Sequence, residues 1–134
     1  MYVLDTDILS HLARRQPEPG LVARLRKARP DQLHTTVVTV MEMQTGAMLR
    51  HDAAEFWRKL SERILSKVRV LDLTPESAVK AGDIMADLQK RGEGVGLADT
   101  LIAGIAISSG MTLVTGNTKH FQRIHGLKFE NWML

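Results

Sequence analysis

Short apolar, β-prone runs alternate with segments of helical periodicity along this chain, and each run stops at a polar residue where the chain must turn. Tyr2-Val3-Leu4 ends on Asp5-Thr6-Asp7, after which Ile8, Leu9 and Leu12 recur at helical spacing. The pattern predicts a second short helix around Leu21, Val22 and Leu25, a strand over Leu33–Val38, and helices over about Val40–Arg50 and Ala53–Ser66. A third strand follows over Val68–Leu73. Thr74-Pro75-Glu76 then supplies an N-cap, a proline at the first helical position and a first-turn acid, so a helix starts there and runs to Lys90-Arg91-Gly92. Another helix spans about Leu97–Ser109 and stops at Gly110, followed by a strand over Met111–Thr115, a short helix near Phe121 and a fifth strand over Leu127–Phe129. The runs read as too apolar to be half exposed. Strands of that kind alternating with helices predict an α/β fold whose parallel sheet is covered on both faces. In such a sheet the crevice lies outside the carboxyl ends of the strands, which selects Asp5, the Thr39–Glu42 segment, Asp72 and Asn117.

With 134 residues, 44% of them hydrophobic, the chain reads as one domain over 1–134 that buries about two-thirds of its unfolded surface. It contains no cysteine, which excludes a cysteine nucleophile, an iron–sulfur cluster, a thiolate zinc site and a disulfide framework. No apolar run approaches the roughly 18 residues of a membrane span, and the first residues lack a basic leader, so the expectation is a soluble cytoplasmic protein. The formal charge of +3 tolerates a nucleic-acid partner without demanding one. Arg14, Arg15 and Arg26 stand in a basic first quarter and are candidates for holding a nucleic-acid backbone.

Three acids stand out. Asp5 emerges where strand one leaves the core; Asp7, just before Ile8-Leu9, is the better helix cap, which frees Asp5 for chemistry. Glu42 follows Thr39 by three residues, the spacing of a capping box, yet it also begins a helix after strand two and so faces the same crevice. Asp99 interrupts a helix otherwise built of small and apolar residues, where a charge needs a partner or a metal. Three carboxylates at about 5 Å would repel by roughly 3 kcal/mol per pair at an effective dielectric near 20. An oxygen-only ligand set offsetting that repulsion points to Mg2+ or Mn2+, and such a site suits metal-assisted phosphodiester hydrolysis.

Other features carry less. Gly92-Glu93-Gly94-Val95-Gly96 follows a helix and reads as a linker, not a phosphate loop; His120 and His125 read as solvated; Met41, Met43, Met48 and Leu49 read as packing. Asp5-Thr6-Asp7 also fits the nucleophile motif of haloacid-dehalogenase-like phosphatases, although the late acidic pair such enzymes need is missing near strand four.

Four segments in order carry a resemblance: Tyr2-Val3-Leu4-Asp5-Thr6-Asp7-Ile8-Leu9, Thr39-Val40-Met41-Glu42-Met43-Gln44-Thr45-Gly46-Ala47, Gly96-Leu97-Ala98-Asp99-Thr100-Leu101-Ile102-Ala103 and Leu113-Val114-Thr115-Gly116-Asn117-Thr118-Lys119-His120-Phe121. Together they resemble the PIN-domain ribonucleases, specifically the VapC toxins of type II toxin–antitoxin systems. The resemblance implies a three-layer α/β/α sandwich around a mainly parallel sheet of four to five strands. It also implies an endoribonuclease that uses Mg2+ or Mn2+ to cut single-stranded RNA with a metal-activated water, is silenced by a cognate antitoxin, and forms homodimers and toxin–antitoxin hetero-oligomers. Asp5, Glu42 and Asp99 match the family's acidic cluster: Asp5 and Asp99 as direct metal ligands, Glu42 as a ligand through water or the group orienting the nucleophile. Thr6, Thr115 and His120 would support the site. Where related toxins often carry a fourth acid after strand four, this chain has Asn117 and His120. A non-catalytic RNA-binding module on the same fold is the remaining alternative.

Overall fold

The computed structural model describes residues 1–134. Its strands are β1 (Tyr2–Leu4), β2 (Leu33–Thr36), β3 (Arg69–Leu71), β4 (Thr112–Val114) and β5 (Phe129–Glu130). Its helices are α1 (Thr6–Leu12), α2 (Pro19–Lys27), α3 (Val37–Met48), α4 (Ala53–Arg63), α5 (Pro75–Lys90), α6 (Leu97–Ser108) and α7 (Thr118–Phe121). The five strands form one sheet, all parallel, in the order β3-β2-β1-β4-β5. The chain therefore builds outward from β1 to β3 and then returns to β1's other side for β4. That reversal makes β1 and β4 the switch point of the sheet, the place where an open α/β fold leaves a crevice.

Successive side chains of a strand point to opposite faces, and the two central strands show it. Val3 and Leu113 belong to one core with Ile84, Leu88, Ile102 and Ile105, beneath α5 and α6. Leu4 and Val114 belong to the other, with Ile8, Leu21, Met43 and Leu60 of the first four helices. A sheet between two helical layers is the expected sandwich. No helix is long and apolar enough to cross a membrane.

Three local expectations are corrected. Strand two stops at Thr36, not Val38, because Thr36 is the N-cap of α3: its hydroxyl accepts from the Thr39 amide, so Thr39 lies inside the helix and forms no capping box with Glu42. Strand three is an edge and not a doubly covered strand, with Arg69 exposed and Val70 40% exposed. Of the methionines on α3 only Met43 is buried; Met41, Met48 and the adjacent Leu49 lie on the surface.

The α5 start behaves as read. Thr74 accepts from the Ser77 amide while the Ser77 hydroxyl accepts from the Thr74 amide, with Pro75 next in line. At the far end Gly92 adopts φ 68°, the left-handed conformation that lets the chain leave the helix and enter the Gly92–Gly96 linker.

Candidate functional site

Asp5 continues the β1 ladder, its amide donating to the Val114 carbonyl at 3.0 Å, and then turns the chain into α1. It is itself the N-cap: its Oδ1 accepts from the Thr6 amide at 2.8 Å. The assignment of that cap to Asp7 is therefore overturned, and Asp5 holds a structural role beside any chemical one. Its Oδ2 accepts from the Thr115 hydroxyl, 2.8 Å away at the end of β4. A carboxylate only 4% exposed is thus fixed at both oxygens in the switch-point crevice.

Asp7 has a different task, one the sequence did not disclose. In the first turn of α1, its Oδ2 accepts from the Gly116 amide at 2.8 Å, tying the helix to the loop after β4. Its other oxygen, Oδ1, is buried without a hydrogen-bond partner. Gly116 suits that contact because a side chain there would meet Asp7 Oδ2 at 2.9 Å and the Met133 methyl. Nothing local marks this pair, since the partners lie 109 residues apart.

Glu42 reaches the same region from α3. The Thr6 hydroxyl donates to Glu42 Oε1 at 2.6 Å and lies 3.0 Å from the Thr39 hydroxyl, which in turn neighbours Thr36. Thr39 was expected in this crevice as a helix cap and Thr36 was not singled out; with Thr6 they form a chain of hydroxyls beside Glu42.

On the opposite wall stands Asp99, in the first turn of α6, whose first residue follows Gly96 and has no side-chain cap. The only side chain within hydrogen-bond distance of Asp99 is His120, whose Nδ1 lies 3.3 Å from Asp99 Oδ2. The loop after β4 closes the circuit: the Asn117 amide nitrogen donates to Thr115 Oγ1 at 3.0 Å, and the Asn117 side chain lies 2.9 Å from His120 Nδ1. Asp5, Thr115, Asn117, His120 and Asp99 are thereby linked around one rim.

The electrostatics follow from burial. Asp5 is pushed up from 3.8 to about 7, first by loss of solvent and next by the Asp7 charge, against the stabilising hydrogen bonds from Thr115 and Thr6; Asp99 adds a smaller push. Asp7 is raised as well, chiefly by burial, against the amide bond from Gly116.

Such a crevice fits a hard cation in the kind of donor it offers: the carboxylates are anionic oxygens, and one buried oxygen of Asp7 is unsatisfied. No three Asp, Glu or His side chains converge tightly enough to enclose an ion alone, so water must complete any coordination shell. Mg2+ is commonly held that way, by one or two carboxylates and several waters.

Of the remaining expected residues, Asp72 is exposed beside the edge strand and stays outside the crevice. Arg14, Arg15 and Arg26 do not ring the acids. They line a separate groove of about 1140 Å³ between α1, α2 and α4. His125 is exposed, with Nδ1 3.8 Å from Asp87.

The chain matches the PIN domain family over residues 2–127. It is 33% identical over 132 residues to ribonuclease VapC2 of Haemophilus influenzae, with 98% of each chain covered. It is likewise 33% identical over 131 residues to the tRNA(fMet)-specific endonuclease VapC of Shigella flexneri, covering 98% of this chain and 97% of that one. In three dimensions it is similar to a chain of VapBC2 from Rickettsia felis bound to a promoter DNA fragment, with TM-score 0.91, 28% identity and 98% of both chains covered. A chain of DNA-bound VapBC from Salmonella typhimurium gives TM-score 0.90 and 30% identity over 98% of this chain and 97% of that one. The phosphatase reading of Asp5-Thr6-Asp7 gives way to that likeness. The family match over residues 2–127 and the likeness over nearly the full length to ribonucleases of this kind make the chain, with its acid-lined switch point on an all-parallel sheet, a member of the PIN-domain family, among its VapC ribonucleases.

Proposed function

We propose that this chain is the toxin of a toxin–antitoxin pair, an endoribonuclease that hydrolyses single-stranded RNA with Mg2+ or Mn2+ held by Asp5, Asp99 and Glu42. The observation that carries the reading is the buried Asp5, fixed at both oxygens and set beside Asp7 and Asp99 in a crevice whose negative charge lacks a counter-charge. A divalent cation bound there supplies charge neutralisation at the scissile phosphate and eases deprotonation of water.

The side chains divide the remaining work. Asp5 and Asp99 present anionic oxygens from opposite walls. Glu42, gripped at Oε1 by Thr6, keeps Oε2 for a water molecule, which it orients and from which it takes the proton as the phosphodiester is attacked. Thr115 holds Asp5 in place and Asn117 holds the loop. Because the fourth position offers an amide and an imidazole instead of a carboxylate, one tightly held ion suits the site better than two.

The groove between α1, α2 and α4 supports the partner half of the proposal. Its floor is apolar, with Leu9, Leu12, Leu25 and Phe56, and its rim carries Arg14, Arg26 and Arg63, so it fits an amphipathic segment with an acidic face. A smaller cleft lined by Arg50, Phe56 and Glu42 continues it toward the acids. An antitoxin seated there would reach the catalytic crevice. The homodimer, alone and within that complex, belongs to the same proposal.

The test is cleavage by the purified protein of single-stranded RNA, and of tRNA as the substrate class named for the Shigella relative, in Mn2+ or Mg2+. The wild type is expected to cut, chelator to stop it, and Asp5→Asn and Asp99→Asn each to lose about 100-fold or more. Retained RNA binding without cleavage by the wild type would establish the non-catalytic module instead.

A further inference from the structure

His120 Nδ1 lies 3.3 Å from Asp99 Oδ2 and 2.9 Å from the Asn117 side-chain amide. In the tautomer that carries the ring proton on Nε2, Nδ1 accepts from the Asn117 amide and turns its lone pair toward the Asp99 carboxylate. A cation shared by the two atoms then joins them. Two ligands each about 2.1 Å from one ion lie roughly 3.0 to 3.4 Å apart in octahedral or tetrahedral coordination, and the observed separation falls within that span.

The ring is also delivered to this place by structure. Phe121, fully buried, anchors α7, and the His120 amide donates to the Asn117 carbonyl at 3.2 Å, so His120 projects from a fixed turn. Its side chain is 50% exposed and that of Asp99 24%, leaving the pair open to an ion from solvent.

We propose that Asp99 Oδ2 and His120 Nδ1 jointly ligate one divalent cation, so that this chain selects a nitrogen-tolerant ion such as Mn2+ or Co2+ over Mg2+. The inference rests on the metal-dependent reading of the crevice and adds to it a ligand and a selectivity. Imidazole suits the later first-row ions, whereas Mg2+ takes oxygen. Water fills the remaining positions, in keeping with the absence of a third converging side chain.

Pulsed electron paramagnetic resonance of the full chain loaded with Mn2+ tests this without reference to activity. The wild type is expected to show coupling to a directly bound nitrogen, lost in His120→Ala and kept in His125→Ala, whose ring lies against Asp87. In competition, His120→Glu is expected to lower the preference for Mn2+ over Mg2+ by about tenfold or more, because the new ligand is an oxygen. Mn2+ bound without nitrogen coupling, or no Mn2+ bound at all, overturns the inference. RNA cleavage, assayed alongside, separates the two claims: cleavage without nitrogen coupling sinks the ligand assignment alone. Nitrogen-bound Mn2+ with no cleavage sinks the nuclease reading and leaves the ligand pair standing.

Discussion

At the scale of single residues the site stores a cost in its own carboxylates. Asp5 titrates near 3.8 in an unfolded chain and at about 7 in the metal-free fold, so between those values the folded state binds the extra proton. The stabilising contribution of that proton is complete below about pH 4 and is lost as pH rises through 7, a difference of order 4 kcal/mol. Metal-free protein is therefore expected to melt at lower temperature at pH 8 than at pH 5.5, and Asp5→Asn to raise the melting temperature at pH 8 by about 5 °C or more. Added Mn2+ should stabilise the wild type more at pH 8 than at pH 5.5. A lower melting temperature for Asp5→Asn at pH 8 would show that the charge supports the fold instead. The sequence disclosed that Asp5 leaves a strand and that Asp99 interrupts an apolar helix, because each is a local break in pattern. It did not disclose which of Asp5 and Asp7 caps α1, since both precede the same apolar residues. That choice is made by Thr115 and Gly116, more than 100 residues away.

Among elements, the closest packing holds the helix that carries Asp99. At Gly104 in α6 an added methyl would lie 2.8 Å from the Ser77 carbonyl oxygen and 3.0 Å from the Ala81 nitrogen and Cβ, all on α5. Backbone cannot yield there as a side-chain tip can, so Gly104→Ala forces the helices apart and is expected to destabilise by about 1–3 kcal/mol. Gly82, on α5, offers the control: nothing lies within 4 Å of its missing methyl. Gly82→Ala is expected to be neutral or to stabilise by up to about 1 kcal/mol, through helix propensity alone. Denaturant unfolding of the two variants reads both numbers, and equal effects would mean that the α5–α6 contact yields freely. Element types were legible because period and punctuation are local: Thr74-Pro75-Glu76 needed no tertiary information. Element ends were not. Thr36 and Thr39 are both good caps, and the one used is set by where β2 stops pairing with β3, at Thr36 opposite Leu71. Whether β3 is covered or exposed depends on strand order, which no run of residues encodes.

For the molecule as a whole, strand order separates two working surfaces. The acids gather at the carboxyl end of β1, beside Thr115 at the end of β4, and on the first turns of α1 and α6, with Glu42 reaching in from α3, while the groove lies among α1, α2 and α4. Neither α2 nor α4 contributes an acid to the crevice, so the groove can be altered without touching the chemistry. Its basic rim includes Arg63 and Lys67, both exposed, at the end of α4 and just beyond it. Charges on a rim act mainly on the rate of encounter with a partner and do so in a salt-dependent way. Replacing both, in an Arg63→Glu, Lys67→Glu variant, is expected to slow antitoxin association by about tenfold at low ionic strength, with the difference shrinking as salt screens the field. RNA cleavage by the free variant should match the wild type. Surface-binding kinetics across a salt series, run beside the cleavage assay, separate the outcomes. Unchanged association at low salt would place the antitoxin elsewhere, and cleavage lost along with association would show that RNA, too, uses this rim.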